Sequence, residues 1–308
     1  MRKNKKNNRE GRTIREFVGR ILAFCENFTT LGKVIANSLN IVRPVRNIGF
    51  TALFLAIILL NSSSSYPNQE FKIKTIVIDA GHGGKDPGTH GKSLKEKSLV
   101  LKIALKVGAH IEKNIPGVKV IYTRKDDTFI PLDERAEIAN TNNADLFVSI
   151  HANASPSATA YGTETWVMGL DKSEKNMGVA KRENSVILLD ENYKERYEGF
   201  DPNSTESYIL FELTQSAYRE SSLKLASNVE TQFSKRVGRR SLGVKQGPFL
   251  VLWRTAMPSI LIEVGFLSNQ HEEQYLATEG NQELIASGIF RAIRDYKNEV
   301  ESIKLGAD

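Results

Sequence analysis

From residue 71 onward the chain predicts an α/β layered fold with a largely parallel sheet. Three observations carry that expectation. Short β-branched runs alternate with segments of helical periodicity; Thr75-Ile76-Val77-Ile78 breaks off in a glycine-rich turn; and a second apolar run, Ser259–Val264, stands near the other end of the chain. Runs of this length are too short for helices and suit buried strands.

The elements follow in order. Lys72–Ala80 is the first strand, closed by Gly81, Gly83 and Gly84 around His82. Ser98 to Asn114 carries Leu99, Ile103, Val107 and Ile111 at helical spacing and stops at Pro116-Gly117. Val118–Thr123 is a second strand. Pro131 opens a helix to Asn142, a position proline favours because its missing N–H costs nothing there. Asp145–Ile150 is a third strand and ends at His151. Gly162–Val167 alternates like a half-exposed strand, and Phe249–Trp253 and Ser259–Val264 are two more. Gln282–Lys297 closes the domain as an amphipathic helix with Leu284, Ile285, Ile289, Ile293 and Tyr296 on one face.

Composition limits what the chain can be. Its 308 residues suffice for a large core, and 40% hydrophobic with 25% charged residues is ordinary for a globular protein. The net charge of +6 is misplaced: residues 1–47 hold 11 Lys/Arg against 3 Glu, a net of +8, so residues 48–308 sum to −2. That argues against a nucleic-acid-binding surface on the folded part. The single cysteine, Cys25, excludes an intrachain disulfide framework, a cysteine metal site and a catalytic thiol in the folded part.

The N-terminal region reads as a leader, residues 1–61. Its uncharged run Ile48–Leu60 follows Arg43 and Arg46 and precedes a serine tract. Thirteen apolar residues are too few to span a bilayer, which takes about 20, and fall within the ~7–15 of an export signal. The long basic stretch and the missing A-x-A site fit a downstream true start or an uncleaved inner-membrane anchor instead. Either way the domain is expected outside the cytoplasm, in the periplasm, touching membrane only through this segment. Residues 62–70 read as a linker, 71–298 as the domain and 299–308 as a tail.

The chemistry lies at the strand ends. His82 follows the first strand and His151 the third; Glu96 stands in the loop before the first helix, and Glu263 lies inside SILIEVGFLSN. A carboxylate in so apolar a run is costly to bury unless it is paired or coordinates something. Singly, each of these residues has an ordinary structural explanation; together they bring four ionisable groups to one sheet edge. Two His and one Glu are a common ligand set for catalytic zinc. A further Glu beside the metal's water would act as general base and then pass the proton to a leaving amine. Neither HExxH, G-x-S-x-G nor a GxxxxGK[ST] loop is present.

The blocks IVIDAGHGGKDPGTHG, SLKEKSLVLKIAL, YTRKDDTFIPLDERAEIAN, ADLFVSIHANA and PSILIEVGFLSN resemble, in order and spacing, the zinc-dependent N-acetylmuramoyl-L-alanine amidases of the amidase_3 family. The resemblance runs from about Lys72 to Tyr296. It implies a single α/β domain with a mixed, mostly parallel sheet of about six strands. It also implies one Zn2+ and hydrolysis of the peptidoglycan amide between the lactyl group of N-acetylmuramic acid and L-alanine, in cell-wall turnover and daughter-cell separation. His82, Glu96 and His151 match the family's metal ligands, and Glu263 its catalytic glutamate. Arg135, Asn140 and Asn153 match recurrent positions with structural or substrate-orienting roles, and Arg135 and Asn153 are carried forward as substrate-binding. Another zinc hydrolase on the same fold, such as a carboxypeptidase, and a non-catalytic wall-binding scaffold remain as alternatives.

An insertion, about 170–237, departs from the family's minimal form. Lys181–Asn203 is charged and rich in Tyr and Glu, and Ser204–Val237 reads as a long helix. A solvated surface insertion would look like this. So would the inserted helix of periplasmic cell-division amidases, which covers the zinc with a carboxylate. Lys181-Arg182-Glu183-Asn184 resembles the start of that element, with Glu183 as the plug and an activator protein as the partner that displaces it.

Overall fold

The computed structural model describes residues 71–302, except 170, 172, 202, 203, 205, 206 and 208–216. The leader with its apolar run, the linker and residues 303–308 therefore lie outside the described residues; residues 299–302 of the expected tail instead continue the last helix, Glu279–Ser302. Among those described, no helix is long and apolar enough to cross a membrane.

Six strands form one sheet: β1 (Thr75–Ala80), β2 (Lys119–Tyr122), β3 (Leu146–Asn153), β4 (Thr163–Met168), β5 (Ser241–Gly247) and β6 (Ser259–Phe266), in the order β2-β1-β3-β6-β4-β5. β2, β1, β3 and β6 run parallel; β4 lies antiparallel to β6, and β5 parallel to β4. The chain steps outward from β1 to β2 and then back past β1 to β3. The sheet order thus reverses between β1 and β3, where open α/β sheets form their ligand crevices.

One face is covered by α1 (Glu96–Asn114), α5 (Arg219–Gln232) and α8 (Glu279–Ser302). Ile76, Ile78, Val148, Ile150, Ile260 and Ile262 meet Leu99, Ile103, Leu225, Ile289 and Ile293 there. The alternate residues of the same strands, Val77, Phe147, Leu261 and Trp166, face the other layer. That layer includes α2 (Leu132–Thr141), α3 (Glu174–Asn184), the short α4 (Tyr193–Arg196) and α6 (Leu250–Trp253). α7 (Gln270–Ala277) follows β6. Strict alternation along each strand means that residues two apart share a face. Asp79, Ser149, His151, Glu164 and Glu263 all project toward this second layer.

Four sequence expectations change. Phe249–Trp253 is not a strand: Leu250–Trp253 form a helical turn, and the edge strand is Ser241–Gly247, whose Gly, Ser, Lys and Gln carry little apolar signal. β4 is buried along its whole length and not half-exposed, because α5 covers its threonine side. Glu96 begins α1 instead of preceding it. In the insertion, α5 starts at Arg219 with Tyr218 as its cap, not at Ser204, and most of 202–216 lies outside the described residues.

Candidate active site

The turn after β1 is built by backbone and arginines together. His82 itself adopts a left-handed conformation, φ 59°, which costs a non-glycine residue energy and persists only where its surroundings enforce it. Arg124 donates to the carbonyls of Ala80 (2.9 Å) and Gly81 (2.6 Å), and Arg135 to those of Ala80 and His82, both at 2.8 Å. Arg135 is anchored in turn by buried Asp79 at 2.8 Å, which also accepts from Ser149 and Thr123. Gly81 leaves room for the His151 ring: a Cβ there would lie 2.5 Å from it.

His151 reaches the same space from β3, at the start of a register shift between His151 and Asn153 that re-aims side chains at the strand end. Glu96 enters from the first turn of α1. His82 Nε2 lies 3.0 Å and His151 Nδ1 3.2 Å from Glu96 Oε1. A fourth group joins them from α3: Glu183 Oε2 stands 3.3 Å from His82 Nε2 and 3.1 Å from His151 Nδ1. One ligand atom from each of the four residues fits within 4.8 Å of all the others, and all four residues are buried.

These contacts lack hydrogen-bond geometry. His82 Nε2, His151 Nδ1, Glu183 Oε2 and both oxygens of Glu263 are buried without a hydrogen-bond partner. Buried polar atoms are almost always hydrogen-bonded, so three orphaned atoms of His82, His151 and Glu183 gathered around Glu96 Oε1 match a cation's donor set. The surrounding contacts fit too. Asp86 Oδ2 holds His82 Nδ1 at 2.7 Å, leaving Nε2 free to ligate, and Glu96 is fixed by the N–H groups of Thr89 and Ala152, both at 2.8 Å.

Electrostatics of the cluster reflect its crowding. Burial would depress the His82 and His151 pKa values, but the adjoining Glu96 and Glu183 carboxylates outweigh it, raising His82 well above its ordinary value and His151 to about 9. Burial would likewise raise Glu96, yet the two histidines bring it down to about 2. Glu263 goes the other way: burial first, then the Glu183 and Glu96 charges, push it well above the usual carboxylate value. Glu263 pairs in register with both His151 and Glu164, so three neighbouring strands present His151, Glu263 and Glu164 in one row.

The N-acetylmuramoyl-L-alanine amidase family, Amidase_3, matches residues 76–295, a span that takes in every residue of this cluster. The chain belongs to that family. Amidase AmiA of Escherichia coli K12 is 32% identical over 227 residues, covering 72% of this chain and 76% of the relative. An uncharacterised Bacillus subtilis protein, YqiI, is 32% identical over 73% of this chain and 86% of its own length. Among solved structures, the amidase of Clostridium difficile 630 superposes with TM-score 0.56 at 31% identity, over 74% of this chain and 98% of that one. CwlD of Clostridioides difficile, solved in complex with the GerS lipoprotein, superposes at 0.54 with 29% identity, over 73% and 99%. The protein is thus an amidase_3 hydrolase with the mixed six-stranded fold of its family.

Arg135 and Asn140 take the structural one of the two roles expected of them. Arg135 is 1% exposed, with its donors directed at Ile130 O, Asp79, Ala80 O and His82 O; it shapes the His82 turn and reaches no groove. Asn140 bridges Arg254 O and the Ala256 N–H, tying α2 to the segment before β6. Asn153 does lie at the site, fully buried, with its amide on Glu164 and its oxygen accepting from Arg182 at 2.8 Å. Sequence reasoning passed over Arg124 and Glu164. The signal available for each was a charge at the end of a strand, the same signal that marked His151.

Proposed function

We propose that this amidase cleaves the amide between the lactyl group of N-acetylmuramic acid and L-alanine, with His82, Glu96 and His151 holding one zinc ion and Glu263 as general base. The convergence of unpartnered ligand atoms on one buried point carries this reading. A zinc ion bound there would supply a Lewis acid for the lactyl carbonyl and bring the pKa of a water toward ~7. Glu263, alongside His151 in register, takes the water proton and returns it to the departing alanine amine. Asp86 keeps His82 in the tautomer that ligates through Nε2.

Glu183 is read as a plug. It fills the position a fourth ligand would take, and α3 lies across the cluster. Its stability there draws on Arg182 and on Asn184, whose side chain donates to Pro248 O at 2.8 Å and accepts from the Leu250 N–H at 2.9 Å. The enzyme is then latent until an activator protein binds the displaced form of α3 more tightly than the docked one. That CwlD was solved together with a lipoprotein supports a partner of this kind. Residues 1–61 act as export signal or anchor, 62–70 as linker, and 71–298 as the catalytic domain, working on peptidoglycan in turnover and daughter-cell separation.

Glu263→Gln tests the assignment. One zinc per chain should remain by elemental mass spectrometry, while release of stem peptide from purified peptidoglycan falls by about 10²–10⁴. His82→Ala or His151→Ala should lose the metal instead. Peptide products starting at L-alanine separate this activity from that of a carboxypeptidase. Full turnover by Glu263→Gln would refute the role.

A further inference from the structure

Arg182, next to the plug Glu183, reaches four residues around the cluster, none of them a metal ligand of the working enzyme. Its Nη2 donates to Asn153 Oδ1 at 2.8 Å and lies 3.8 Å from Glu263 Oε1, its Nη1 donates to Ala154 O at 3.1 Å, and its Nε donates to Glu183 Oε1 at 3.0 Å. Two neutral carbonyl oxygens at the end of β3 are thus occupied by the N–H groups of an element that the proposed mechanism removes. Once α3 leaves, Ala154 O and the second lone pair of Asn153 Oδ1, whose first accepts from the Ala154 N–H at 2.8 Å, face the opened cleft without a protein donor. A substrate that supplies N–H groups at the same two points would satisfy them.

We propose that Asn153 Oδ1 and Ala154 O form the subsite for the stem peptide's backbone amides, and that Arg182 occupies it as a stand-in while the enzyme is closed. The proposal rests on the amidase reading above. The direction of the substrate follows from the proton path. Glu263 delivers its proton to the leaving nitrogen, so the peptide arm lies on the Glu263 side of the metal, where Asn153 and Ala154 stand. A cavity of about 520 Å³ opens there, bounded by Ser155, Pro156 and Phe266 on one side and α3 on the other. The lactyl and glycan arm then falls on the opposite side, in the cavity of about 400 Å³ between His82 and His90. Asn153 is held in the accepting orientation by Glu164, which takes its amide protons and is itself neutralised by Lys245. Asn153 contacts substrate in this scheme; Glu164 is a positioning residue.

The test compares two soluble muramoyl-peptides that differ at one atom: the amide N–H joining L-alanine to the second residue, and the ester oxygen that replaces it. The scissile bond is identical in both. The zinc-loaded full chain carrying Arg182→Ala and Glu183→Ala, which removes both the stand-in and the plug, should cleave the amide form about ten- to a hundredfold faster in kcat/KM, the loss expected when an acceptor is left unpaired. Adding Asn153→Leu should abolish that ratio. A loss of Asn153 that merely loosened the fold would slow both substrates equally. Equal cleavage of amide and ester by the Arg182→Ala, Glu183→Ala protein overturns the subsite even if Asn153→Leu does not fold, and leaves the amidase reading intact. Cleavage of neither substrate overturns the amidase reading and the subsite with it.

Discussion

Arg135 shows how far a residue's type can mislead about its task. An arginine in a recurrent position of a carbohydrate-and-peptide hydrolase invites a substrate role, yet this one spends its guanidinium on Asp79 and on the carbonyls that fix His82 at φ 59°. Removing one partner of a buried ion pair strands the other charge. Arg135→Ala should therefore destabilise the domain by about 3–5 kcal/mol in urea denaturation, with activity lost through zinc content and not through a raised KM. A stable Arg135→Ala protein with weakened substrate binding would restore the substrate role. His82, Glu96, His151 and Glu263 were legible because each is a charged group set in a glycine turn, beside a helix start or within an apolar run. Arg124 was not, since RKDD reads as a solvated charge cluster until the fold buries its first member beneath the β1 turn.

At the scale of elements, the parallel strands β1, β3 and β6 announce themselves because burial on both faces demands uniform apolarity. β5 is quiet in the sequence for the opposite reason: an edge strand needs pairing on one side only, and SLGVKQG is half-buried through most of its length. The helix before it shows a similar limit. The span from Ser204 looks helical by composition; among its described residues, Arg219–Gln232 carries a buried stripe, Leu225, Ala226 and Val229, against the sheet. On the plug proposal, α3 is the element on which regulation turns. Glu183→Ala should raise basal hydrolysis of dye-labelled peptidoglycan at least about tenfold, since each 1.4 kcal/mol removed from the docked state shifts the population by that factor. Deleting 173–203 should do the same. Unchanged activity in both would make the insertion a solvated appendage.

For the molecule as a whole, the site sits where the sheet order reverses, so the cluster is assembled by topology as much as by local sequence. This concentrates charge in the core, and stability should respond to pH and metal together. In the metal-free protein the His151 pKa is raised from 6.5 to about 9, against burial, by Glu183 and Glu96. A raised histidine contributes stability that is complete below pH 6.5 and disappears as the pH climbs through 9. Glu96, lowered to about 2, contributes at every pH above the ordinary carboxylate range and fails only toward pH 2. Melting followed in chelator should therefore fall between pH 6.5 and 9, by an amount on the order of 1–3 kcal/mol. With zinc the histidines ligate in their neutral form, and melting should stay level over the same interval. An equally steep decline with zinc would place the metal elsewhere.

The span that carries Glu183 is tethered at both ends, to β4 at Met168 and to α5 at Arg219, and both of those elements belong to the core. A peptide so fastened experiences its own docking groove at an effective concentration on the order of millimolar, whatever the dilution of the protein. Re-closure is then a first-order event that no wash or dilution prevents. If Glu183 is the plug proposed above, a partner that releases the cluster must stay bound for as long as cutting continues, which would confine lysis of the wall to the place and the moment of contact.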